Sequence, residues 1–215
     1  MIKKKLNIFF HSEFGLLQGS ITFTQNQPIG IVFLSHSHPL YGGSMDDKIL
    51  HILTKAFLEK NFIVVKHNSR GVGKSTGTFS NGIGESQDLQ SIIQYVLQLK
   101  AITTVFSNRR PLIALAGFSF GSYVISLLLK KIEHDFSVLI SSVPNKWQYP
   151  EIDQRTLIVH GEQDEICPLI NVLKWLNSQS HPLTIIPRAS HFFDEQQEQL
   201  KDTIRTYLLG ICFLD

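Results

Sequence analysis

Pro111-Leu112-Ile113-Ala114-Leu115-Ala116-Gly117-Phe118-Ser119-Phe120-Gly121-Ser122 sets a short apolar run against a Gly-Phe-Ser-Phe-Gly pentapeptide. The run reads as a strand buried on both faces. From about Phe120 to Lys131 the chain is apolar almost all round, which reads as a deeply buried helix. The pentapeptide has the form G-x-S-x-G, in the strand-to-helix context where such a serine stands clear of a sheet. A turn this tight forces its central residue into an unfavourable backbone region, and side chains two positions either side would collide. Glycine at both flanks removes the clashing Cβ atoms. Ser119 would then sit above the C-terminal edge of the sheet, at a helix N-terminus whose dipole favours developing negative charge. An ordinary glycine-bounded turn could carry the same letters, so the reading depends on partners elsewhere in the chain.

A serine hydroxyl is a weak nucleophile and needs a base held in the right tautomer. In proteins with this turn the order is Ser, then Asp or Glu, then His. Downstream, Thr156-Leu157-Ile158-Val159-His160 reads as a strand ending in Gly161-Glu162-Gln163-Asp164-Glu165. Ligands gather at such strand ends, which makes Asp164 the leading acid and Glu162 and Glu165 weaker candidates. Leu183 to Ile186 is the next strand, followed by Pro187-Arg188-Ala189-Ser190-His191. Of nine histidines, His191 alone combines the right order, the right rim and an aromatic surround. His134 and His181 read as surface or loop residues, and His160 as packing beside Gly161. An oxyanion needs two donors. The N–H of Phe120 is one, and the loop Ser35 to Gly43 should supply the other. Pro39 has no N–H, which leaves His38 and Leu40 as alternatives. His36 and His38 lack a third ligand at supporting spacing, so no metal or other cofactor is expected.

Gly30–Ser35, Phe62–Lys66, Pro111–Ala116, Phe136–Ile140, Thr156–His160 and Leu183–Ile186 are strand-length apolar runs. Ile49, Ile52, Leu53, Ala56 and Phe57 share one helical face, as do Leu89, Ile92, Ile93, Val96 and Leu97. Leu200, Ile204 and Tyr207 predict a last helix in the segment from Asp194. Strand alternating with helix implies a mostly parallel, doubly wound α/β sheet of about eight strands with helices on both faces. Lys5–Phe10 and Leu16–Thr24 predict an antiparallel hairpin at the sheet edge. No repeat or linker divides the chain, so residues 1–215 read as a single domain. Gly71-Val72-Gly73-Lys74-Ser75-Thr76 imitates a phosphate loop, but that pattern requires a glycine where Asn68 stands, and no helix opens directly after it.

The 215 residues are 43% hydrophobic and 18% charged, with a net charge of +2, which describes a globular chain. Its lysines and arginines are dispersed apart from Lys3-Lys4-Lys5, which argues against a nucleic-acid partner. The apolar stretch Leu6–Phe10 is too short for a secretion signal. No stretch reaches the ~18 apolar residues of a membrane span. Two cysteines, Cys167 and Cys212, form neither a disulfide framework nor a metal pattern. The expectation is a cytoplasmic monomer or homodimer, acting on a small-molecule acyl substrate.

The blocks HSHPLYGGSMDDK, NSRGVGKSTG, GFSFGS, HGEQDEICP and ASHFF, in that order from His36 onward, resemble the small bacterial α/β-hydrolases of the serine hydrolase kind. These are similar to dienelactone hydrolases and to the catalytic domain of prolyl-oligopeptidase-like enzymes. The resemblance implies an α/β-hydrolase fold and a triad of Ser119, Asp164 and His191. It also implies that the RGVGKS segment only joins the fourth strand to the next helix. Dienelactone hydrolases proper use a cysteine nucleophile, so Ser119 argues against dienelactone as substrate, and Cys167 lies away from the turn. Only Ser141 to Arg155 is available where many relatives insert a lid, so no lid domain is expected. The site should be open and shallow, with Tyr41, Phe79, Trp147 and Tyr149 as aromatic walls. Hydrolysis of carboxylic esters is the leading expectation. A peptidase or amidase using the same triad, and an inactive binding protein of the same fold, are the alternatives.

Overall fold

The computed structural model describes residues 2–107 and 109–212; residues 1, 108 and 213–215, which the single-domain expectation also spans, lie outside the described residues. Eight strands form one sheet: β1 (Ile2–Ser12), β2 (Gly15–Thr24), β3 (Gly30–Ser35), β4 (Phe62–His67), β5 (Leu112–Phe118), β6 (Phe136–Ile140), β7 (Thr156–Gly161) and β8 (Thr184–Ile186). Their spatial order is β1-β2-β4-β3-β5-β6-β7-β8. β1 and β2 form the expected antiparallel hairpin at the edge, and β2 joins β4 antiparallel; all pairs from β4 onward are parallel.

The continuous apolarity of the central strands follows from having two covered faces. In β3, Ile31 and Phe33 pack into one core with Ile63, Leu115 and Leu139, while Val32 and Leu34 pack into the other with Val64, Ala116 and Val138. The first core lies under α2 (Ile83–Gln98), α3 (Lys100–Phe106), α4 (Phe120–Ser126) and α5 (Leu169–Asn177); the second lies under α1 (Lys48–Glu59) and α6 (Gln197–Cys212). The apolar faces expected for α1, α2 and α6 are the buried ones, with Leu97 and Tyr207 only partly covered.

Several details differ from the sequence reading. The helix expected to run to about Lys131 stops at Ser126. There the hydroxyls of Ser122 and Ser126 bond back to the carbonyls of Ser119 and Tyr123, and Leu128 N–H turns to the Ile125 carbonyl, so the last turns tighten. The final helix begins at Gln197 instead of Asp194. α3 and α5 had no counterpart among the expected elements. His134 and His181 lie in loops but are buried, each held through Nδ1 by a nearby carbonyl. In the Gly71–Thr76 loop, the amides of Gly71, Val72, Lys74, Ser75 and Thr76 all donate within the protein. Those of Lys74 and Thr76 reach Gln18 and Leu16 of the β1–β2 hairpin, so these five amides are taken up by the protein itself.

Two imidazoles are buried where β3 and β4 end, their ring centroids 6.5 Å apart. His36 Nε2 accepts the Ser69 N–H at 2.9 Å, so its proton sits on Nδ1, facing the Ser37 carbonyl at 2.7 Å. Burial holds His36 below the ordinary imidazole value. Burial, with His36 beside it, pushes His67 down to about 3. Below about pH 6.5 the unfolded chain takes up protons that the folded chain refuses, so stability is complete above that pH and falls on acidification toward pH 3. Denaturant unfolding between pH 7.5 and pH 4 should show a loss approaching roughly 1.4 kcal/mol per pH unit for each such group. His67→Phe, which fills similar space without titrating, should show a shallower loss.

Candidate active site

Ser119 sits between β5 and α4 with φ 54° and ψ −118°, a strained conformation for a residue with a side chain. A Cβ on Gly117 would run into the backbone of Gly121, and one on Gly121 into the Ser35 carbonyl at the end of β3. Both glycines are therefore required by close backbone approach. The strained residue is also held by its own peptide groups. Its N–H donates to the Ile140 carbonyl at 2.9 Å, and its carbonyl accepts the Ser122 hydroxyl at 2.6 Å. The Tyr149 hydroxyl, 2.6 Å from Ser122 Oγ, accepts the Val143 N–H at 3.0 Å. Since the Ser122 proton faces a carbonyl, Tyr149 donates to Ser122, and a buried polar chain runs from Val143 to the Ser119 turn.

Over this turn, His191 Nε2 lies 2.9 Å from Ser119 Oγ, and His191 Nδ1 lies 2.7 Å from Asp164 Oδ2. All three side chains are buried. A carboxylate can only accept, so Nδ1 carries the imidazole proton and Nε2 faces the serine hydroxyl as acceptor. Asp164 Oδ1 accepts the N–H groups of Ile166 at 2.9 Å and Cys167 at 2.7 Å, which fixes the carboxylate plane. The two other acids of this turn act on backbone. Glu165 accepts the His191 N–H at 3.1 Å and Glu162 the Arg188 N–H at 2.8 Å, so both brace the loop that carries His191. The Ser141 hydroxyl donates to the His191 carbonyl at 3.0 Å. The rings of Phe118 and Phe192 flank the imidazole at 5.3 and 5.1 Å.

The Phe120 N–H belongs to the first turn of α4, where a helix has no partner to give it. On the facing loop the N–H of Leu40 donates to His38 Nδ1 at 3.2 Å, and that of Ser37 to Asp47 Oδ2 at 2.9 Å. The N–H groups of Tyr41 and Gly43 turn to the His38 carbonyl, and that of Gly42 to the Pro39 carbonyl. Of the two alternatives, the backbone leaves His38 as the donor without a partner among the described residues. The His38 ring packs against Tyr41, Phe79 and Phe120, with centroids 4.6 to 5.0 Å apart.

A cavity of about 330 Å³ opens over Ser119 and His191, walled by the His38–Gly43 loop, Phe118, Ile166 and Phe192 and by the start of α1. Tyr41 lines it, and Phe79 and Trp147 stand behind His38. Tyr149 is buried beneath, in the polar chain just described. Cys167 is buried too, its thiol pushed up to about 11. Among the described residues no group of three or more His, Cys, Asp or Glu is placed to hold a metal ion, and no helix is long and apolar enough to cross a membrane.

Sheet order, turn and a β6–β7 connection too short for a lid define a small α/β-hydrolase of the lidless kind. The chain belongs to the same family as the uncharacterized protein RP471 of Rickettsia prowazekii, with 30% identity over 222 residues covering 95% of this chain and 89% of that one. Among solved structures, a lidless α/β serine hydrolase from Xanthomonas campestris matches with a TM-score of 0.87 and 25% identity over 97% of this chain and 95% of its own. An α/β serine hydrolase homologue from Coxiella burnetii matches with 0.83 and 29%, over 96% and 97%. No family model matches the chain.

The two glycine approaches make a direct test. Gly121→Ala and Gly117→Ala must each push backbone away from backbone, with no flexible side chain to yield. Each should cost about 1–3 kcal/mol or more, read as a lowered thermal midpoint. Gly42→Ala, with no atom within 4 Å of the added Cβ, should be milder, although its φ of 86° still strains a side chain.

Proposed function

We propose that this protein is a serine hydrolase acting on carboxylic esters, with Ser119 as nucleophile, His191 as general base and Asp164 as the acid that orients it. The observation that carries the reading is the unbroken relay from Ser119 Oγ to His191 Nε2 at 2.9 Å and from His191 Nδ1 to Asp164 Oδ2 at 2.7 Å. Serine hydrolases among the matching structures support it. Both helical layers rest on one sheet, and the reacting groups meet at one of its edges; this supports reading residues 1–215 as one catalytic domain.

In the first half-reaction Ser119 Oγ attacks the ester carbonyl carbon as its proton passes to His191 Nε2. The carbonyl π electrons move onto oxygen, and the N–H groups of Phe120 and His38 receive the resulting oxyanion. Asp164 stays ionised, accepts Nδ1–H throughout and stabilises the imidazolium. The oxyanion collapses, the bond to the alcohol oxygen breaks, and His191 returns its proton to that leaving oxygen. In the second half a water gives its proton to His191 and attacks the acyl-enzyme carbonyl. The second oxyanion then expels Ser119 Oγ, which recovers the proton, and the carboxylic acid leaves.

Pure protein should be labelled by a fluorophosphonate probe and should hydrolyse p-nitrophenyl esters in preference to aminoacyl p-nitroanilides. Ser119→Ala should abolish labelling and lower kcat/KM by roughly 10⁴-fold or more while leaving the thermal midpoint close to wild type. A folded wild-type protein that resists the probe would overturn the assignment. Amide turnover above ester turnover would replace it with an amidase.

A further inference from the structure

We propose that the substrate is an uncharged ester whose apolar portion lies along the cavity over Ser119 and out across its rim, a specificity that rests on the serine hydrolase reading. The cavity floor is Phe118 and Ile49, and its mouth is bordered by Tyr41, Ile166 and Phe192. These three leave 87%, 42% and 43% of their surface to solvent, an apolar border that a bound chain would cover.

The charged groups lining the same cavity already have partners. Lys48 Nζ is 3.0 Å from Asp194 Oδ1, and the Asp47 carboxylate accepts the N–H groups of Ser37 at 2.9 Å and Ser44 at 3.0 Å. Burial lowers the affinity of His38 for a proton, which leaves its ring neutral near pH 7. A substrate carboxylate would have to displace Asp194 from Lys48, and a substrate ammonium would compete with two backbone donors for Asp47. An alkyl or aryl chain meets matching surface.

The test is a series of p-nitrophenyl esters from acetate to decanoate, set against the p-nitrophenyl half-ester of succinate. The kcat/KM should rise by about fourfold for each early methylene. It should level off once the chain passes the rim, and the butyrate should exceed the succinate half-ester at least tenfold. Ile166→Ser should flatten the rise. A flat series, or preference for the charged half-ester, would overturn the proposal. Fluorophosphonate labelling separates the two layers. A labelled enzyme with a flat series loses only this specificity, whereas an unlabelled one loses the hydrolase reading.

A second observation, independent of the cavity, concerns His160. It is fully buried at the end of β7, with Nε2 2.8 Å from the Cys167 carbonyl and 3.4 Å from Asp164 Oδ2. Its Nδ1 is buried without a partner among the described residues. A carbonyl only accepts, so the proton sits on Nε2 and is given to that carbonyl, with the Asp164 carboxylate 3.4 Å from the same nitrogen. Asp164 thus lies between two imidazoles. The geometry points to His160 as a positioning residue: it holds the 164–167 turn closed and tempers the negative charge that Asp164 presents to His191. The titratable groups around it are Asp164, His191 and Cys167, whose thiol is neutral near pH 7 because burial raises it. Glu165 reaches only the His191 backbone, and Lys146 acts on the thiol.

His160→Gln keeps an N–H donor near the Nε2 position, and His160→Met fills similar space without one. The Met variant should lose tenfold or more in kcat with KM within about twofold, and the acid limb of its kcat/KM profile should move to higher pH, because a less satisfied carboxylate favours the His191 imidazolium. The Gln variant should keep most of the activity and an unshifted limb. A purely structural role would lower both variants alike and leave the limb in place. That result, or a Met variant with wild-type kcat, would overturn the inference. Should the Met variant not fold, the Gln variant decides alone: lost activity in folded protein would sink it.

Discussion

The contact between Gly121 and the carbonyl of Ser35 is where three parts of the molecule meet without an intervening side chain. β3 ends there, β5 turns there into α4, and the loop bearing His38 leaves from there. Because the approach is backbone against backbone, it cannot be widened by a rotamer change. The position of Ser119 relative to the facing amides is therefore set by the sheet itself. The strained φ of Ser119 follows from this constraint. So does its support, since the Ile140 carbonyl holds its N–H from β6 and the Ser122 hydroxyl holds its carbonyl from α4.

From that fixed point the other groups arrive by the logic of a parallel sheet, in which the carboxyl ends of all the strands lie on one edge. β7 delivers Asp164 and β8 delivers His191, and neither depends on a long side-chain reach. What remains adjustable is the path of the two loops, and the acidic turn settles both. Asp164 is clasped by its own following amides, while Glu162 and Glu165 bond the backbone of the histidine loop. Three acids within four residues thus have distinct tasks: one faces the imidazole, and two hold the chain that carries it.

Much of this was legible in the sequence, and the parts that were not share a cause. Continuous apolar runs such as Gly30–Ser35 announce strands because both faces are covered. The order of Ser119, Asp164 and His191 is visible because each follows such a run. α5 was missed because its apolar residues point both ways: Val172 and Leu176 are buried, while Ile170 and Leu173 are exposed, which blurs the helical period. α3 is a short helix of seven residues with only Ile102 and Phe106 buried, too few for a pattern to emerge. That the Leu40 N–H is occupied by the His38 ring is a fact of three-dimensional geometry with no signature in residue type. Tyr149 looked like a pocket wall because aromatic residues near a site often are. Its buried hydroxyl partner, Ser122, lies 27 residues away in the chain.

The fate of Tyr149 also bears on the missing lid. In this fold the stretch between β6 and the acid-bearing strand is where a cap would be inserted, rising over the site. Here it is turned inward. Trp147 stacks on Tyr123 of α4 at 5.1 Å and meets Phe120 edge-on at 5.3 Å, while Tyr149 packs against Trp175 of α5 at 4.7 Å and closes the polar chain to Ser119. The same residues cannot both roof the cavity and brace the helix beneath it. Openness of the cavity and rigidity of the Ser119 turn are thus two consequences of one short segment. The apolar surround of the His191 imidazole, which a lid would otherwise complete, comes here from Phe118 and Phe192.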